Sequence, residues 1–406
     1  MITRTLTHFS ALRAPVRAMV YLHYIYAFVG GLTGMFVHIF LYQHFASVVF
    51  NVIAQTIYFA GVMIGFSGIG AVFAWKHWNL KWAYAWAFAL LSGSFVFLYG
   101  EVTRTEALIF MTANGFALGI YWLALHTFEL TETHSDERAT YSSFLSAGDQ
   151  VIDLLAPAIA TLSFIISRDV LHVGTYTLLF IIAPLTYLLG IPLFRHLHSY
   201  RPKPLDLHDV RHFFTDKRNR TSQLYYFGGS ANYAFAKVGI PIAAILLLGT
   251  ETHVGIFNSL FAVISVFVVL FFASRRHHGN QLQFLFLTSI AAAFLTLLPG
   301  AIFTLPIYIL YSIGMVVLKP LQRVSAHVID LETMETLGRK ERDFYPTMIL
   351  RDVALGFWRI VSLGVFALLI SIIGEGETAV RTSFIALAIS FLLQYIGAKR
   401  LYQKNI

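Results

Sequence analysis

The sequence predicts an all-α polytopic membrane protein of about 12 transmembrane helices, arranged as two six-helix bundles. Three observations predict it. Hydrophobic residues fill 57% of the 406 positions and charged residues 12%, about half the ~25% charge of soluble domains, with a mean hydropathy of +0.68. Apolar runs of about 20 residues, enough to cross a bilayer at ~1.5 Å per residue, recur along the whole chain. A polar junction in the first half also returns in the second. His126, Glu129, Leu130, Glu137, Arg138 and Tyr141 share the frame of His327, Asp330, Leu331, Glu341, Arg342 and Tyr345.

A second echo supports duplication. Tyr26-Ala27-Phe28 stands 24 positions before Phe50-Asn51, and Tyr233-Ala234-Phe235 stands 24 before Phe257-Asn258. The offset between halves is 207 here and 201 to 204 at the junction. Repeats of this kind are the usual build of transporters.

The first half divides into spans at 17–42, 46–75, 81–100, 107–130, 141–167 and 174–194. Spans at 224–248, 254–274, 282–302, 303–330, 346–373 and 378–398 make up the second. Leu298-Pro299-Gly300 and Leu305-Pro306 separate the ninth from the tenth. Domains are therefore expected at 1–194 and 224–406. Residues 195–223 form a basic cytoplasmic linker carrying seven Lys or Arg and the Arg201-Pro202-Lys203-Pro204 punctuation.

Charge sets the expected orientation. With the N-terminus inside, 21 Lys or Arg fall in inward loops and tails. Only Arg104, Arg168 and Arg381 fall outside, so both termini are expected in the cytoplasm. The net charge of +8 is spread over short loops and forms no nucleic-acid patch. Cysteine is absent, which excludes disulfides and thiolate metal sites. His208, Asp209 and His212 have metal-compatible spacing without a third ligand and read as solvated loop. No P-loop, H-E-x-x-H or nucleophile set is present, so neither enzyme activity, a cofactor nor a metal is expected.

The charges left inside apolar spans are the candidate functional residues, because an ionisable group at membrane depth is costly unless paired or wetted. They are Lys237, Lys319, Arg323, Arg351 and Arg359, with Asp149, Asp153 and Asp352. Lys237 and Arg359 each lie 13 residues into their spans, about 20 Å deep, where transporters bind cargo. They are expected to contact an anionic group of the substrate, with the repeat-related Tyr26 and Tyr233 beside them. Asp149 and Asp153 share one helical face at i,i+4, as a proton-coupling pair would. His126 and Glu129 in the first half, against Lys319, Arg323, Arg351 and Asp352 in the second, suit a cytoplasmic salt-bridge gate. His23 and His38, on the first span, either face a cavity or pack against neighbours.

Twelve spans as six plus six, a basic central loop and echoed junctions between spans four and five and spans ten and eleven resemble the major facilitator superfamily along the whole chain. The resemblance implies two bundles rocking about a central site, lined by helices 1, 4, 7 and 10 with 2, 5, 8 and 11 contributing. The family's loop between helices 2 and 3 carries an acid after Gly-x-x-x. Here Gly70-Ala71-Val72-Phe73 is followed by Ala74, and Lys76 and Lys81 keep only the basic character. The implied function is a proton-coupled secondary transporter of a small anionic or zwitterionic solute. It is expected to be monomeric, surrounded by lipid, in a bacterial cytoplasmic membrane. A lipid flippase on the same fold and a non-transporting sensor or assembly partner are the alternatives.

Overall fold

The computed structural model describes residues 9–10, 12–133, 135–204, 211, 215, 217–273, 281–338 and 344–405. Arg275, Arg276, His208, Asp209, His212 and the Glu341–Arg342 part of the second junction lie outside them, as do the side chains of Arg323, His327, Glu137 and Arg138.

Twelve helices are long and apolar enough to cross a membrane. They are α1 Ala14–Phe45, α2 Val48–Trp75, α3 Lys81–Leu98, α4 Arg104–Glu132, α5 Thr140–Val170 and α6 Thr177–His196 in the first half. The second half has α7 Asn219–Leu248, α8 Glu251–Val268, α9 Leu282–Ala301, α10 Leu305–Gln322, α11 Phe344–Ile373 and α12 Glu377–Gln403. Most of the expected boundaries fall within five residues of these. The larger differences are at α10, whose span ends at Gln322 rather than 330 within a helix that runs on to Gly338, and at α8, which ends at Val268 rather than 274; α7 starts at Asn219 rather than 224. Polar residues such as Thr221, Ser222 and Gln223 continue the helix because its backbone bonds are satisfied internally whatever the side chain. Lys237 consequently sits past the helix midpoint, toward Leu248.

Local chemistry sets the ends and bends. Pro15 occupies the first turn of α1, where its missing N–H costs nothing. Thr103 and Glu106 form a capping box that starts α4. A π-helical turn at Ile64–Gly68 interrupts α2, and another at Ile166–Val170 ends α5. Pro157, Pro184 and Pro241 lie inside α5, α6 and α7.

The chain forms two compact units, Met1–Val37 with Ala60–Pro204, and His38–Phe59 with Leu205–Ile406. The tip of the first helical hairpin thus belongs to the second unit. There Glu375, in the turn before α12, accepts hydrogen bonds from Ser47 Oγ at 3.0 Å and the Val48 N–H at 2.7 Å. Glu375 is flanked by Gly374 and Gly376, both at positive φ, a conformation only glycine adopts freely.

Small residues draw helices together within each unit. Gly61 and Gly65 on α2 face Gly115 and Gly119 on α4, both pairs in G-x-x-x-G spacing. A Cβ on Gly65 would lie 2.0 Å from the Phe116 carbonyl oxygen, and one on Gly119 would lie 2.2 Å from that of Val62. In the second unit Gly228 on α7 lies against the backbone of Leu393 and Gln394 on α12, and Gly397 against that of Leu224 and Tyr225. Without a hydrophobic driving force in lipid, such close backbone contact is what holds transmembrane helices together.

Candidate functional site

Charged and aromatic side chains gather in one cluster in each unit. In the first, α1 presents His23 and Tyr26 on one face, and α4 presents Tyr121, Trp122 and His126. His23 is buried and bridges two helices, its Nδ1 3.1 Å from the Tyr121 hydroxyl and its Nε2 3.0 Å from Asp149 Oδ1 on α5. Tyr26 stacks on Tyr121 with centroids 4.2 Å apart and meets Trp122 edge-on. Trp122 stacks in turn on His126. His126 Nδ1 lies 3.1 Å from Glu129, whose other oxygen accepts from the Tyr141 hydroxyl at 3.1 Å. Imidazoles, phenols and carboxylates therefore run in contact along three helices.

Sequence reasoning treated Asp149 and Asp153 as a pair. The structure joins Asp149 to His23 instead, while Asp153 is exposed one turn further along α5. The signal was available, since His23 lies at membrane depth. Nothing in the linear sequence, however, pairs residue 23 with residue 149.

In the second unit the cluster centres on Tyr233, which is 42% exposed. Lys237, one turn on along α7, places its ammonium 5.5 Å from the ring centroid and within reach of the hydroxyl. Arg359 of α11 lies over the same ring at 5.1 Å, and over Phe59 of α2 at 5.4 Å. Two aromatic rings so flank its guanidinium, each worth about 0.5–2 kcal/mol as a cation–π contact. Arg359 Nε is buried with no hydrogen-bond partner. Among the described residues no ion pair includes Lys237 or Arg359. Lys319 of α10, expected at the gate, acts electrostatically on Tyr233 as well. Nearby, His38 is buried with Asn51 and Gln55, its Nδ1 3.2 Å from Asn51 Oδ1, and it feels the Lys237 charge.

Among the other gate candidates, His126 and Glu129 pair with each other. Arg351 bonds Asp330, the repeat counterpart of Glu129. Tyr141 and Tyr345, equivalent in the repeat, are both buried. Asp352 has interactions of its own, and the Arg323 side chain lies outside the described residues. Tyr26 is in the first cluster and Tyr233 in the second, each in its own unit.

No family model matches the sequence, and no curated protein matches it. Solved structures do. The chain is similar to a POT family transporter in complex with 5-aminolevulinic acid, at TM-score 0.69 and 11% identity over 96% of this chain and 98% of that one. It is similar to the nucleoside transporter NupG, at TM-score 0.62 and 13% identity over 96% and 99%. It is also similar to the human organic anion transporter MFSD10 (TETRAN), at TM-score 0.63 and 13% identity over 95% and 99%.

The fold is the major-facilitator fold. The protein is an integral membrane protein with that architecture. In the first unit α1 and α4 carry His23, Tyr26, Tyr121, Trp122 and His126, and in the second α7 and α10 carry Tyr233, Lys237 and Lys319. Identities of 11–13% carry the architecture and nothing of the cargo.

Proposed function

We propose that the protein is a secondary transporter that moves a small organic anion by alternating access. Lys237, Arg359 and Tyr233 bind the anionic group, and Asp149 handles the coupling proton. One observation carries this reading. Two cations converge on one partly exposed tyrosine ring, with no carboxylate of the described residues paired to either. Basic residues left uncompensated between apolar helices are costly, and a ligand that brings the missing negative charge offsets the cost.

Coupling by Asp149 is supported by its contact with His23, which gives the proton a second acceptor 3.0 Å away. Asp153, on the same face of α5, is the second carboxylate of this system. His126 and Glu129 extend the polar face of the first unit, and in the second unit Arg351 and Asp330 brace the inner helix ends as a bonded pair. The charge bias of the loops supports cytoplasmic termini.

A thermal-shift screen of the purified protein against small organic anions, with wild type beside Lys237→Ala, tests the binding half. A stabilising anion lost in the variant supports it. Stabilisation by lipids alone, indifferent to Lys237, replaces it with a flippase. With the anion found, pH-driven uptake that Asp149→Asn abolishes while counterflow continues supports the coupling half. Uptake and counterflow that both survive Asp149→Asn overturn it.

A further inference from the structure

The cluster around Tyr233 holds hydrogen-bond donors almost exclusively. A guanidinium offers five N–H groups and an ammonium three, neither has an acceptor, and the only oxygen among them is the phenol of Tyr233. A zwitterion would bring an ammonium up against two cations, with no carboxylate of the described residues paired to either. A monoanion such as a simple carboxylate would leave one of the two cations uncompensated. Both cations lie within 5.5 Å of one ring centroid, so one compact group can meet both. The Phe59 and Tyr233 rings, 5.8 Å apart, hold the guanidinium, and its buried Nε awaits an acceptor.

We infer that the anionic group bound by Lys237, Arg359 and Tyr233 is a tetrahedral dianion of the phosphate class, carried on a small solute. Its oxygens accept only, and they match the two edges of a guanidinium together with an ammonium and a hydroxyl. The inference rests on the anion-binding reading above and narrows it.

The test is the thermal stability of the full chain in detergent at constant ionic strength, with four probes: methyl phosphate, sulfate, acetate and glycine. A phosphate monoester is dianionic at pH 7.5 and loses most of its second charge at pH 5.5, its second pKa being about 6. Sulfate is a dianion at both. Methyl phosphate is expected to raise the melting temperature by several degrees at pH 7.5 and by much less at 5.5. Sulfate is expected to keep its effect at both, and acetate and glycine to have little. Lys237→Gln and Arg359→Gln are each expected to weaken the apparent affinity for methyl phosphate at least tenfold, and Lys319→Gln severalfold.

Acetate or glycine binding as well as methyl phosphate, and sensitive to Lys237 and Arg359, overturns the dianion and leaves the anion site standing. Methyl phosphate binding that all three substitutions leave unchanged overturns both. Should one variant fail to fold, Lys237→Arg and Arg359→Lys keep the charge and change the donor geometry. Unaltered affinity in both overturns the proposed fit. Phosphatidic acid in mixed micelles separates the sources. Stronger stabilisation by it than by methyl phosphate places the group on a lipid and overturns the small solute.

Discussion

Arg359 lies 5.1 Å over the ring of Tyr233, on a different helix and 126 positions away in sequence. The contact fixes a long cationic side chain against a rigid surface, so the ordering cost is met before a ligand arrives. Arg359→Lys keeps the charge but loses the planar fork and the stacking. Anion affinity, measured by calorimetry, is expected to fall about tenfold, and Arg359→Gln should reduce it further. Tyr233→Phe, which keeps the ring and removes the hydroxyl, is expected to cost less than either.

His23 joins α1, α4 and α5 through two side-chain contacts. His23→Ala strands the buried Tyr121 hydroxyl, at about 1–3 kcal/mol, and leaves the half-buried Asp149 carboxylate without its imidazole partner. Thermal melts in detergent should show a drop of several degrees, with His23→Gln intermediate. An unchanged melt would mean water replaces the imidazole without loss.

The close approach of α2 to α4 depends on having no side chain at Gly65 and Gly119. Because the atoms a Cβ would meet are backbone carbonyl oxygens at 2.0 and 2.2 Å, rotamer changes cannot relieve the clash and the helices must part. Gly65→Ala or Gly119→Ala is expected to destabilise by about 1–3 kcal/mol or more. Gly30→Ala, with nothing within 4 Å of its Cβ, is the control and should be close to neutral.

The Arg351–Asp330 pair is four-fifths buried, with side-chain exposures of 20% and 18%. Removing one partner from a buried pair costs about 3–5 kcal/mol, because the other charge is left uncompensated. Asp330→Asn and Arg351→Gln should each lower the melting temperature strongly. The double variant should recover part of the loss, which separates this pair from two independent defects.

Much of the architecture was legible in the chain. A backbone that must satisfy its own hydrogen bonds in lipid can only be helical, so the apolar runs located twelve spans to within a few residues. The duplicated junction was equally visible. Its two acids each accept from the helix that follows, Glu129 from Tyr141 and Asp330 from Arg351. Depth alone also flagged Lys237 and Arg359, since charge in an apolar run is rare enough to mark itself.

Partnership was decided by the tertiary structure. Spacing on α5 suggested that Asp149 belonged with Asp153, yet helix packing turned it toward His23 on α1. Charge sign grouped Lys319 with Arg351, and the structure pairs Arg351 with Asp330. Helical period fixes which residues share a face of one helix and says nothing about which helix that face meets. That choice is set by where small residues let backbones approach, as at Gly65 and Gly119. The sequence by itself determined how many helices cross and which charges they carry. Only the packing of those helices decided which charges meet which partners.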